Sequence, residues 1–156
     1  MSAQSNSASE SIIEYVTVTI GDHLFGLPIS RVQDVFVPDR LTRVPLAPAE
    51  VAGILNLRGR VVTAIDMRSR LDFGAHEPGR PVMAIGIEFK GESYGLLVDA
   101  VGEVMPLAVS ERQAKPSNLD PRLARVAAGV YRLEGQLLVE LDVDCVLDIR
   151  SGAVAA

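Results

Sequence analysis

The side chains able to do chemistry are few. His23 and His76 are the only histidines and Cys145 is the only cysteine. Neither histidine stands at ligand spacing from the cysteine or from a group of carboxylates, so the local sequence encodes neither a zinc site nor a Cys–His nucleophile. Both histidines read as plain surface residues. Asp142, Asp144 and Asp148 are the densest carboxylate run. That run lacks the glycine and the closing glutamate of a calcium loop. Asp142 reads more simply as a helix N-cap, with Asp144 and Asp148 one turn apart on the wet face. Asp66 has the same reading. Cys145 falls on that helix with no histidine beside it, which suggests a buried or half-buried, inert thiol. There is no GxxxxGKS or GxxxxGKT, no strand-linked GxGxxG, no GxSxG and no HExxH. A small hydrolase would need an acid–base pair that the sequence does not offer. The residues therefore point to a binding module with no metal and no cofactor.

The elements that would position a binding surface are written twice. Gly53–Phe73 reads GILNLRGRVVTAIDMRSRLDF and Gly129–Ile149 reads GVYRLEGQLLVELDVDCVLDI. Gly59 falls on Gly135, Ile65 on Leu141, Asp66 on Asp142 and Leu71 on Leu147 at one shift of 76. Upstream, LFGLPISRVQDV and SYGLLVDAVGEV match at a shift of 69, pairing Gly26 with Gly95 and Val32 with Val101. Two matched segments in the same order indicate two copies of one small β unit. In the first copy Leu55 and Leu57 lead to a two-residue Arg58-Gly59 turn, and Val61–Ile65 returns. Asp66 then caps a short helix. The second copy carries seven extra residues between Met105 and Ala128, including Asn118-Leu119-Asp120-Pro121, a capped helix start with proline at its first position.

The chain has 156 residues, 48% apolar, with aromatics at only 4% and no tryptophan. A core of that make-up is Val, Leu and Ile, which favour strands. The net charge of −5 and the lack of a basic cluster exclude a nucleic-acid partner. A lone cysteine excludes an internal disulfide and fits a reducing compartment. No run is long enough to cross a bilayer.

Residues 1–14 are expected to be a disordered tail, 15–78 a first lobe, 79–149 a second lobe and 150–156 a second tail. Tyr15–Ile20 alternates as a half-buried strand, with Val16, Val18 and Ile20 inward. Pro28 is expected to open a short helix whose Ile29, Val32 and Phe36 form an apolar stripe, ended by Pro38. Arg40–Pro48 should be extended surface chain, and Pro48–Val51 one helical turn. Gly74–Pro81 is the clearest linker. Met83, Ile85, Ile87 and Phe89 then alternate, with a Lys90-Gly91 turn. The pattern predicts two small antiparallel barrels or curled sheets sharing a core along a seam. Arg58, at a hairpin tip whose twin holds Glu134, together with Ile29, Val32 and Met83 near the seam, would make an Arg-guarded apolar groove suited to an amphipathic helix.

NLRG at Asn56–Gly59, VVTAIDMR at Val61–Arg68 and YGLLVDAVGEV at Tyr94–Val104 resemble the CheW family of chemotaxis coupling proteins. The likeness runs from about Tyr15 to Ile149. Thr63 stands where the family often has proline, and Met67 where it often has leucine. The resemblance implies a mostly β fold of two SH3-like five-stranded antiparallel barrels packed side by side, with short helices. It implies a non-catalytic cytoplasmic adaptor that links methyl-accepting chemotaxis receptors to the histidine kinase CheA and meets the inner membrane only through receptor arrays. An adaptor of another chemosensory pathway, such as twitching, gliding or surface sensing, would have the same fold. Carried over by position, the receptor-binding residues would be Ile29, Val32, Asp34, Asn56, Arg58 and Met83. The kinase-binding residues would be Leu41, Val44 and Gly53. The span of the likeness leads to the expectation of a free-standing adaptor with no receiver or phosphoacceptor domain.

Overall fold

The computed structural model describes residues 11–74 and 79–148. The strands are β1 (Ile12–Ile20), β2 (His23–Pro28), β3 (Asp34–Phe36), β4 (Val51–Leu57), β5 (Arg60–Asp66), β6 (Met83–Phe89), β7 (Glu92–Val98), β8 (Ala100–Ala108), β9 (Ala127–Leu133) and β10 (Gln136–Leu141). Three short helices join them: α1 (Met67–Arg70), α2 (Pro121–Ala124) and α3 (Val143–Leu147). Their starts follow from local chemistry. Asp66 accepts from Arg68 N at 3.0 Å, Asp120 from Arg122 N at 2.8 Å and Asp142 from Cys145 N at 3.2 Å, each satisfying a donor that the first turn leaves open. Pro121 occupies the first turn of α2.

The strands form two five-stranded sheets, β3-β6-β7-β5-β4 and β8-β1-β2-β10-β9. The first is called the first barrel here, because it holds three strands of the first copy. Each sheet contains one parallel pair, β5–β7 or β2–β10, among otherwise antiparallel neighbours. The duplication extends to register: Gly95 lies opposite Ala64 in one parallel pair, and its repeat partner Gly26 lies opposite Glu140 in the other. Beyond β3 the chain bends back to bridge Thr42 to Ile54 on β4, closing the first barrel. Gln113 bridges Val130 on β9 in the second.

The sheets do not follow a division at 78/79. β6 and β7 lie in the first barrel, and β1 and β2 in the second. Parallel neighbours cannot be joined by a tight turn and need a long crossover. Between β5 and β7 that crossover is α1, the following linker and β6, and between β2 and β10 it is most of the chain, from β3 to β9. Each copy thus lends two strands to the other barrel. The Gly74–Pro81 segment, of which 75–78 lie outside the described residues, therefore links β5 to β6 of one barrel. The links between barrels are instead the turn after Pro28 and the single residue Asp99.

A shared core lies between the sheets. Val18, Phe25 and Leu27 come from one side, and Ile85, Ile87 and Leu96 from the other. The opposite face of each sheet holds a smaller cluster, Ala64, Ala84 and Leu97 in the first barrel and Tyr15, Leu107, Tyr131 and Leu138 in the second. β1 is thus buried on both faces, Tyr15 and Thr17 as well as Val16, Val18 and Ile20. Alternation marked the faces correctly, but one face of β1 packs in the shared core and Tyr15 on the other packs in the second barrel's own cluster. β1 also begins earlier than the expected tail allows. Ile12, Ile13 and Glu14 pair with Ala108, Leu107 and Pro106, because β8 offers them a ladder. Residues 1–10 and 149–156 lie outside the described residues.

No helix spans Pro28–Phe36. Pro28 ends β2, Ile29–Arg31 makes one 3-10 turn, Val32 is extended and Asp34–Phe36 is β3. The helical spacing of apolar residues is overridden by pairing of Asp34 with Gly86 and Phe36 with Ala84. Pro48–Val51 is a turn, held by Val51 N donating to Pro48 O at 2.9 Å, and Val51 already starts β4.

Candidate functional site

Arg58 and Gly59 form the two-residue tip of the β4–β5 hairpin, with φ of 53° and 81°. Both values lie in the left-handed region that matches hairpin twist. Asn56 Oδ1 accepts from Gly59 N at 2.9 Å and fixes this tip. Arg58 is 79% exposed, and one guanidinium nitrogen lies 3.9 Å from Asp34 Oδ2. Asp34, 22% exposed, rests flat against β6 opposite Gly86, where an added Cβ would strike its carboxylate. The geometry therefore unites Asp34, Asn56 and Arg58. Val32 lies two residues before Asp34 on the link between barrels, and Met83 opens β6. Both are half-buried against the shared core. Ile29 starts that link and is exposed. It and Met83 join the Asp34–Arg58 pair only through shared strands and connections.

Leu41 and Val44 are exposed on the segment that closes the first barrel. Gly53 is what lets that segment close. A Cβ there would collide with the Thr42 carbonyl and come within 3.1 Å of Leu41 Cγ. The Thr42 bridge needs this approach: Thr42 N donates to Ile54 O at 2.8 Å and Ile54 N to Thr42 O at 2.7 Å. Sequence reading did not single out four other exposed apolar residues of the first barrel, Val35, Val37, Leu46 and Val61. Val35 and Val37 flank Phe36 at strand spacing, a signal hidden by reading the stretch as a helix.

The second barrel carries a polar network that motif reading also missed. Glu140 is buried. Its Oε1 lies 3.0 Å from Arg112 Nε and accepts from the Tyr15 hydroxyl at 3.2 Å, which is 2.8 Å from the Tyr131 hydroxyl. The Tyr15 phenol is pushed far up from its ordinary range, first by burial, then by the Tyr131 hydrogen bond and the charge of Glu140. The sequence signal was the repeat itself, which sets Glu140 against Ala64.

The remaining candidates have structural partners. Asp144 meets Arg31 at 3.4 Å across the barrels. His23 is half-buried with its ring 5.3 Å from that of Phe73, and His76 lies outside the described residues. Cys145 is exposed, not buried. Its thiol is still pushed up, chiefly by desolvation and then by Asp142, so it stays protonated and weakly nucleophilic. Among the described residues no helix is long and apolar enough to cross a membrane.

These features are shared with known proteins. The model of the CheW-like domain matches residues 14–151. The chain is 34% identical over 131 residues to the chemotaxis protein CheW of Rhizobium meliloti, covering 83% of this chain and 84% of that protein. It is 27% identical over 131 residues to the chemotaxis protein CheW of Bacillus subtilis, covering 84% of each. The crystal structure of the scaffolding protein TtCheW from Thermoanaerobacter tengcongensis superposes with a TM-score of 0.74 at 27% identity, covering 83% of each chain. The match covers strands of both barrels, from within β1 to beyond β10, and on that ground the chain belongs to the CheW-like domain family.

Proposed function

We propose that this protein is a non-catalytic adaptor that couples methyl-accepting chemotaxis receptors to a CheA-like histidine kinase. The observation that carries the reading is the family match over residues 14–151, which takes in β2 to β10 and all of β1 but its first two residues. The receptor tip, a helical hairpin, docks along the seam marked by Ile29, Val32, Asp34, Asn56, Arg58 and Met83. The kinase docks on the apolar closing segment of the first barrel through Leu41 and Val44, with Gly53 holding that segment in place. Supporting this division, the first surface joins an exposed cation to the apolar Ile29, while the second exposes the aliphatic Leu41 and Val44 with no charge among the named residues. Receptor state then reaches the kinase through shared contacts, and each contact can be weak because arrays multiply it. The adaptor works in the cytoplasm at the inner face of the membrane, held there through receptors.

The test is reconstitution. Purified chain is mixed with the regulatory domain of the cognate kinase and a receptor-tip fragment, and the complex is followed by sedimentation. A ternary complex is expected, with Leu41→Asp/Val44→Asp losing the kinase and Arg58→Glu losing the receptor. If neither partner co-sediments with the native chain, the adaptor reading fails.

A further inference from the structure

The chain passes between the barrels twice, at equivalent positions of the repeat. The shift of 69 that sets Gly26 against Gly95 also sets Ser30 against Asp99. At Ser30 the crossing is long and open. Residues 29–33 separate β2 from β3, Ile29 is exposed, and Arg31 meets Asp144 at 3.4 Å with both side chains in water. At Asp99 the crossing is a single residue held from both sides. Asp99 Oδ2 accepts from Gly21 N of the β1–β2 turn at 2.8 Å and from Arg68 Nη1 of α1 at 2.9 Å, so one oxygen takes a donor from each barrel. Asp99 N donates to Thr19 O of β1 at 3.0 Å. The ion pair is sheltered, its side chains 19% and 14% exposed. Beside it the β1–β2 turn lies on Phe73, just past α1: a Cβ on Gly21 would stand 3.3 Å from Phe73 Cδ2. Arg70, from the same helix as Arg68, donates to Val146 O and Cys145 O of α3, both at 2.9 Å.

We infer that Arg68 and Asp99 are positioning residues for receptor docking: they fix the pivot between the two barrels, and the 29–33 crossing supplies the slack. The physical reason is the contrast in what each crossing costs to move. Displacing Asp99 takes two donors, one of them a cation, from a carboxylate with little water to replace them. Displacing the 29–33 crossing parts Arg31 from Asp144, an exposed pair that contributes little, and spreads the change over several residues. The barrels therefore turn about Asp99, and the turn is taken up by the crossing that carries Ile29 and Val32. Arg68 and Asp99 act on the receptor through the spacing of those residues across the seam, with no contact of their own. Arg70 remains as a second tie, so loss of the Arg68 pair loosens the joint without parting the barrels.

This inference rests on the receptor-docking reading above, and the experiment keeps the two apart. Spin labels are placed through Arg60→Cys and Gln136→Cys, equivalent positions of the two barrels at the shift of 76, in a Cys145→Ser chain. Double electron–electron resonance on the chain alone is expected to give one narrow distance distribution. Arg68→Met and Asp99→Asn are each expected to broaden or shift it. Without labels, both variants are expected to bind a receptor-tip fragment about fivefold or more weakly by fluorescence anisotropy, with affinity for the kinase regulatory domain unchanged. Arg68→Lys keeps a cation within reach of Asp99 and is expected to recover part of the receptor affinity. Asp120→Asn breaks an ion pair within one segment and controls for lost stability, with distance and receptor affinity expected to stay native. Should Arg68→Met fail to fold, judged by thermal melting, Asp99→Asn keeps an acceptor for Gly21 N and carries the test. Folded variants whose distances or receptor affinity stay native, or which lose both partners equally, overturn the inference. A native chain that binds no receptor fragment overturns the docking reading, while the distances recorded on the chain alone still decide the pivot.

Discussion

Asp34 and Arg58 of the first barrel face each other at 3.9 Å, one from β3 and one from a hairpin tip 24 positions later. The carboxylate is pinned against β6 and the guanidinium is free to move. Such a pair orients a side chain more than it stabilises a fold, since exposed ion pairs contribute only about 0–1 kcal/mol.

Arg58→Glu should therefore leave the melting temperature within about 2 °C. It should weaken binding of a receptor-tip fragment at least about tenfold, because the exposed cation of the tip is replaced by a carboxylate that faces Asp34 and reverses the charge offered to the partner. Kinase binding should not change. Fluorescence anisotropy with each partner checks both halves, and unchanged receptor affinity would remove Arg58 from the site.

Gly53→Ala should destabilise the chain by about 1–3 kcal/mol and weaken kinase binding, because its Cβ drives Thr42 off Ile54. Gly59→Ala is the control. Nothing lies within 4 Å of a Cβ there, so its cost is only the left-handed backbone, about 1 kcal/mol. Urea denaturation with a kinase titration distinguishes a lost closing segment from simple backbone strain.

Glu140→Ala should cost about 2–3 kcal/mol. It leaves Arg112 without its carboxylate and the two tyrosine hydroxyls with only each other, and Arg112 is open enough to water to blunt the larger penalty of a fully buried pair. Arg112→Leu/Glu140→Ala should cost less than the sum of the single changes. A double-mutant cycle read by chemical denaturation would refute the coupling if the two effects simply added.

Asp120 titrates low, at about 2 against an ordinary 3.8, held down first by its side-chain hydrogen bond with Arg122 and then by the Arg122 backbone N–H. A carboxylate depressed in the folded state stabilises above its unfolded value, and that stability is lost as pH falls toward the folded one. Asp120→Asn should therefore be less stable than the native chain near neutral pH, and the gap should close between about pH 4 and pH 2. Urea midpoints across that window test it, and a gap independent of pH would rule the linkage out.

Much of the molecule was legible in the residues because much of it is local. Arg58-Gly59 announces a tight turn since two consecutive residues must take positive φ, and Asp66, Asp120 and Asp142 announce helix starts since each reaches a donor two or three residues ahead. The repeat was legible for the same reason: both copies reuse the same local signals in the same order. The stretch after Pro28 was misread because its apolar spacing fits helix and strand alike, and only β6, some 50 positions away, decides between them.

By itself the sequence determined two like units, their turns and caps, an aliphatic core and the absence of any short catalytic motif. Tertiary structure decided which strands share a barrel, and it chose β6 and β7 for the first and β1 and β2 for the second. It also decided that Leu41 stands open while Arg112 is locked onto Glu140. Hydrogen bonds within a turn are fixed by a few neighbouring dihedrals. A parallel pairing or a buried ion pair forms only when distant segments meet, and no local pattern records that meeting.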